Sequence, residues 1–135
     1  MPGAERLYQI YMKWFPIDLA PPNSFKGQAA LVTGGTGGLG LATAAHLVNL
    51  GAAEVIITSR NPSRSKQALE ELERETGGRS KGVVRVAELD MNRYDSVVAL
   101  AEEVKKTRAG KGGLDYVLLN AGVIGIKYKA VDEGW

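Results

Sequence analysis

Residues 33–40 read Thr-Gly-Gly-Thr-Gly-Gly-Leu-Gly, and no other stretch narrows so far what the chain can fold into. Glycine at Gly34, Gly37, Gly38 and Gly40 allows φ > 0 and lets another group come close to a backbone that carries no Cβ. Ahead of the turn lie Ala29, Ala30, Leu31, Val32 and Thr33, a short apolar run bounded upstream by Gly27, as expected of a buried parallel strand. Behind it, residues 39–50 continue without a breaker as far as Gly51, the pattern of a helix with a glycine stop. A strand, a glycine turn and a helix in this order aim unpaired backbone N–H groups and the positive helix end at one point, where a pyrophosphate fits. Thr36 and Leu39 stand between the glycines and join them as candidate contacts.

Glycine turns are common, so the surroundings carry the weight. A second strand, residues 54–59, ends about twenty residues beyond the turn, the spacing a dinucleotide site requires. The other phosphate-binding pattern, G-x-x-x-x-G-K-[ST], fails because no lysine lies between Lys26 and Arg60. A kinase or NTPase is therefore not expected.

The remaining chain continues the alternation. Residues 63–76 read as a helix with Ser63 as N-cap and a narrow stripe of Ala68, Leu69 and Leu72, closed by Gly77 and Gly78. Residues 82–89 form the third strand. Residues 92–107 form a third helix, with Val97, Val98, Leu100, Ala101 and Val104 at helical spacing, and residues 114–119 form the fourth strand. Right-handed crossovers then give an α/β fold: a Rossmann-type, doubly wound parallel sheet of about four strands in order 3-2-1-4, with helices on both faces.

In such a sheet, ligands bind outside the carboxyl ends of the strands. Those ends carry the glycine turn, Ser59 and Arg60, Asp90 and Met91, and Asn120, Ala121 and Gly122. Ser59 stands where an acid would hold a ribose 2′-OH, and Arg60 follows it. A guanidinium there can hold a 2′-phosphate bidentately where a carboxylate would repel it, so NADP is expected over NAD, with Lys66 adding a second charge. Asp90 can cap the third helix or accept a hydrogen bond from an adenine amino group, and the two roles are compatible. Asn120 either contacts the ligand or satisfies backbone groups at the strand end. His46, inside the first helix without an acidic partner, reads as structural, and Tyr128, between Lys127 and Lys129, as part of a solvated loop.

Composition excludes several classes. There is no cysteine and a single histidine, which removes disulfides, thiolate nucleophiles and Cys- or His-based metal sites. The net charge of +2, with basic and acidic residues interspersed, offers no stripe for nucleic acid. No apolar run approaches the ~18 residues of a membrane span, and Glu5, Arg6, Lys13 and Asp18 break any signal-peptide layout. A soluble cytoplasmic protein is expected. Residues 1–24 read as an arm and linker: Leu7, Ile10, Tyr11, Trp14 and Phe15 make an amphipathic helical stripe that Pro16 ends, followed by Ala20-Pro21-Pro22-Asn23-Ser24. The stripe packs on the domain, residues 25–135, or on a partner subunit. A membrane-surface role is disfavoured by its few cations.

These residues resemble the short-chain dehydrogenase/reductase family. Thr33-Gly34-x-x-x-Gly38-x-Gly40 matches its cofactor motif, Asp90 its acidic residue after the third strand, and Asn120-Ala121-Gly122 its Asn-Ala-Gly element. The closing Asp132-Glu133-Gly134-Trp135 looks like the approach to the family's next long helix, and the N-terminal arm looks like that of retinol-dehydrogenase-like members. The resemblance covers roughly residues 25–135 and implies hydride transfer between a nicotinamide cofactor and a carbonyl or alcohol. It also implies a serine and a Tyr-x-x-x-Lys pair, in which the lysine lowers the tyrosine pKa for acid–base work. Tyr8, Tyr11, Tyr94, Tyr116 and Tyr128 are followed four residues later by Met12, Phe15, Val98, Asn120 and Asp132. By this resemblance the chain holds the cofactor half, and no catalytic residue is assigned in it.

Three functions follow as expectations: an NADP-dependent oxidoreductase whose catalytic segment lies elsewhere, a shortened homologue that binds a partner or catalyses a cofactor-independent isomerisation or cyclisation, and a module that senses NADP(H). A sheet ending at the fourth strand would leave an edge and a thinly covered face, so a homo-oligomer or a complementing chain is expected beside a dinucleotide and a small-molecule substrate.

Overall fold

The computed structural model describes Leu7, Tyr8, Tyr11 and residues 20–122. Within residues 20–122 the elements are β1 (Ala29–Val32), α1 (Gly38–Asn49), β2 (Glu54–Ser59), α2 (Pro62–Glu75), β3 (Val84–Glu88), α3 (Tyr94–Thr107) and β4 (Tyr116–Leu118). The strands pair in the order β3-β2-β1-β4, all parallel, with Ala29 opposite Glu54, Ala30 opposite Tyr116 and Val55 opposite Val84. From β1 the chain steps outward twice in one direction, and α3 then carries it back to the far side of β1. The strand order therefore reverses between β1 and β4, which opens a crevice at their carboxyl ends.

The central strands are apolar on both faces because both faces are covered. Ala30, Val32, Val55 and Ile57 point to one side and pack with Leu41, Ala44, Ala45 and Val48 of α1 and Ala68 and Leu72 of α2. Leu31, Ile56 and Ala87 point to the other and meet Leu100 of α3. Two helices thus cover one face and one helix the other. Tyr116 and Leu118 of β4, level with Ala30 and Val32, are exposed on the α1 and α2 side. On the thin side Val97, Val98, Val117 of β4 and Leu119 beyond it remain exposed. Between them lies an apolar groove of about 540 Å³ whose lining includes Leu31, Leu89, Met91, Leu100, Val104 and Leu119. The open edge and thinly covered face expected from the sequence are both present among the described residues.

At the amino end of the sheet, a charge cluster fixes β2, β3 and the approach to β4. Glu54 receives Arg85 Nε at 2.9 Å and Arg108 Nη1 at 2.8 Å, while Arg108 also donates to the carbonyls of Gly113 and Lys111. Burial alone would raise the Glu54 pKa, but the hydrogen bonds and charges of Arg85 and Arg108 outweigh it and hold the carboxyl below its ordinary range.

Two local expectations are corrected. Asn61, not Ser63, caps α2: its Oδ1 accepts from the amides of Ser63 and Arg64 at 2.9 and 3.3 Å. Pro62 has no N–H to satisfy and forces the residue before it into extended backbone, so the helix starts at the proline and the cap falls one place earlier. The α3 helix starts at Tyr94 with Arg93 in the N-cap position, and Asp90 stands outside it. Of the N-terminal stripe, Leu7 and Tyr11 are helical and exposed, as is Tyr8 beside Leu7. Ile10, Trp14, Phe15 and Pro16 lie outside the described residues, as do Tyr128 and the closing segment 132–135.

Candidate functional site

The turn between β1 and α1 is gripped from both neighbouring strands. Gly34 has φ +67°, and its amide donates to Thr58 Oγ1 at 3.1 Å. The carbonyl of Thr33 accepts from Asn120 Nδ2 at 3.1 Å, and Thr33 Oγ1 accepts from the amide of Ala121 at 3.0 Å. The Asn-Ala-Gly segment after β4 is therefore joined directly to the end of β1.

Glycine is required here for two different reasons. At Gly40 a Cβ would stand 2.4 Å from the Gly34 carbonyl oxygen and 2.7 Å from Asn120 Nδ2, because the start of α1 crosses back over the turn. At Gly35 it would stand 2.6 Å from the Ile57 side chain. Gly37 is different: its backbone is extended, and none of the described residues lies within 4 Å of where a Cβ would be. No described side chain demands glycine there: its place is that of a helix N-cap, which favours glycine over alanine, and the space in front of it is open.

Gly37 is also the N-cap of α1, and it supplies no side-chain cap. The first turn carries no acid, and Gly37, Gly38 and Leu39 are exposed, Leu39 at 80%. The first amides of a helix have no acceptor within it, and the helix dipole makes that end positive. That end of α1 is exposed and acid-free, at the strand-order reversal between β1 and β4.

The other expected residues stand at neighbouring strand ends. The Ser59 hydroxyl closes a local turn with Asn61, accepting from its amide and donating to its carbonyl, both at 3.1 Å. Arg60 and Lys66 are exposed, and neither is ion-paired to a carboxylate among the described residues. The amide of Leu89 donates to the Ser59 carbonyl at 3.0 Å, which sets the end of β3 beside that of β2. There Asp90 Oδ1 accepts from the backbone amide and the side-chain amide of Asn92, both at 3.0 Å, while the Asp90 amide donates to Ser96 Oγ. Asp90 therefore caps the turn leading into α3, and Oδ1 is the oxygen that does so. Met91 is exposed and borders the apolar groove. The structure brings Asn120 and Ala121 into contact with the turn, while Gly122 is exposed beyond them.

Residues 28–133 match the model of the short chain dehydrogenase family. The chain belongs to that family. Short-chain dehydrogenases are oxidoreductases that bind a nicotinamide dinucleotide and a substrate. A short-chain dehydrogenase of Penicillium roqueforti is 34% identical over 114 residues, which is 84% of this chain and 28% of that protein. One from Aspergillus sclerotiorum is 38% identical over 112 residues, 83% of this chain and 30% of that protein. This chain thus spans under a third of the length of either relative. Among solved structures, a metagenomic short-chain oxidoreductase in complex with NADP aligns with a TM-score of 0.59 at 31% identity, covering 74% of this chain and 41% of that one.

Sequence reasoning passed over Thr58, Gly35 and Ile57. The available signal was a hydroxyl at the carboxyl end of the apolar run Val55-Ile56-Ile57.

Proposed function

We propose that this short-chain dehydrogenase sequence is the cofactor-binding part of an oxidoreductase that uses NADP(H), with residues 1–24 an arm and linker and residues 25–135 the dinucleotide domain. The observation that carries this reading is the uncapped, acid-free and exposed start of α1 at the strand-order reversal. The residues present suit the group. Gly34, Thr36, Gly37, Gly38, Leu39 and Gly40 form the pyrophosphate turn, with the open space at Gly37 as the approach. Arg60, unpaired with any carboxylate among the described residues, would hold the 2′-phosphate beside Ser59, with Lys66 adding charge. Asp90 and Met91 would border the adenine, and Asn120, Ala121 and Gly122 the inner part of the dinucleotide. The NADP in the similar metagenomic oxidoreductase supports the phosphorylated form.

When bound, the nicotinamide supplies or takes up a hydride, for a carbonyl or alcohol substrate. The residues of this chain bind and orient the dinucleotide, and none of its tyrosines has a lysine four residues on to hold a proton at the substrate oxygen.

Calorimetric titration with NADPH and NADH tests the reading. The wild type is expected to prefer NADPH, and Arg60→Glu is expected to lose that preference by on the order of a hundredfold, as for a charge-assisted bidentate contact replaced by repulsion. Equal affinities unchanged by the substitution would remove Arg60 from the site.

A further inference from the structure

We propose that Thr58 is the positioning residue for the pyrophosphate, acting through Gly34; this rests on the dinucleotide reading above. The peptide unit joining Thr33 to Gly34 is held at both ends. Its carbonyl accepts from Asn120 Nδ2 on the β4 side, and its N–H donates to Thr58 Oγ1 on the β2 side, each at 3.1 Å. This unit is where the chain leaves β1, so its plane sets the direction of everything that follows in the turn.

Three consequences follow from the clamp. The Gly34 amide is spent on the protein, so the anion is received by amides further along, at the start of α1. Gly35 is pressed onto Ile57, the residue before Thr58, leaving no room for the turn to sink. The Gly34 carbonyl then lies directly beneath Gly40, which fixes how far α1 begins from the sheet. Thr58 is buried, and within β2 it follows the fully buried apolar run Val55, Ile56 and Ile57. A hydroxyl there places an acceptor at the one height in the strand where the turn needs it. Valine has the same shape and no acceptor, and it would leave the half-buried Gly34 amide without its partner. The peptide unit would be free to rotate about its Asn120 contact, and the amide fan would lose its aim.

The test uses the whole chain, two ligands and three variants. NADPH engages the turn, whereas adenosine 2′-monophosphate carries the phosphate meant for Arg60 and has no pyrophosphate. Thr58→Val is expected to weaken NADPH on the order of tenfold while leaving adenosine 2′-monophosphate within about twofold, and Thr58→Ser, which keeps the acceptor, is expected to restore NADPH binding. Thr58→Cys, with its poorer acceptor, repeats the comparison should the valine variant not fold. A loss confined to NADPH upholds the positioning role. Unchanged NADPH binding, or an equal loss for both ligands as expected of a smaller folded fraction, overturns it while the wild-type affinity keeps the dinucleotide reading standing. A wild type that binds no NADPH overturns both.

Discussion

Asn120 Nδ2 donates to the carbonyl of Thr33 at 3.1 Å, so the second residue after β4 closes onto the end of β1 and stands under Gly40 at the same time. Asn120→Ala is expected to cost about 1 kcal/mol, the usual net worth of one such bond. Asn120→Asp is expected to cost more at neutral pH, because a carboxylate cannot donate and would face the Thr33 carbonyl. Urea unfolding of the two variants checks the order, and an aspartate variant as stable as the wild type would refute the assigned contact.

Two glycines in one turn separate packing from ligand approach. Gly40→Ala drives a methyl into the Gly34 carbonyl and should lower stability by about 2 kcal/mol, in the range of overpacked sites. Gly37→Ala meets no atom of the described residues and should stay within about 1 kcal/mol of wild type, the cost of a poorer N-cap. Yet Gly37→Ala should bind NADPH clearly more weakly, since its methyl enters the space in front of the amides. Melting curves and NADPH titration on both proteins decide it: intact NADPH affinity in the Gly37 variant contradicts the placement of the pyrophosphate.

The Glu54 cluster makes stability pH-dependent with a definite sign. Its carboxyl is held below the ordinary glutamate value of about 4.3. The unfolded chain therefore takes up the proton first, and the contribution is complete above that value and disappears as the pH falls through the lower folded one. The melting temperature of the wild type should drop across this acid window, and Glu54→Gln should show a lower plateau at neutral pH and a shallower fall. Parallel curves for the two proteins would exclude Glu54 as the source.

The edge at β4 should act as an association surface. Val117 is exposed on β4, whose outer edge pairs with no strand among the described residues, beside the apolar groove. Sedimentation is expected to show concentration-dependent association of the chain, and Val117→Lys is expected to shift it toward the monomer. A wild type that stays monomeric throughout the concentration range speaks against this surface as an interface.

Much of this architecture was legible in local pattern. The runs of β1 and β2 are apolar without alternation because both of their faces are buried, and that also announced a parallel sheet. Glycine stops after α1 and α2, and the change from continuous apolar runs to helical spacing, marked the element order. The cap of α2 was misplaced because proline's effect on its predecessor moves the helix start by a residue. Leu69 belongs to the narrow apolar stripe of α2, yet it is exposed, since only Ala68 and Leu72 face the sheet. Asp90 was rightly placed at a strand end, but the turn that it caps through Asn92 depends on how the chain bends before α3.

By itself, the sequence determined that a strand, a glycine turn and a helix stand in line, that parallel strands follow in alternation, and that a cation sits just past the second strand. These are properties of neighbours along the chain, fixed by φ/ψ preference and side-chain period. Tertiary structure alone decided that Thr58 and Asn120, 24 and 87 residues from their partners, grip one peptide unit from opposite sides, and that Gly35 rests on Ile57. The physical reason is register: which side chain of β2 or β4 stands level with the end of β1 depends on how the strands slide past one another, and no local propensity encodes that height.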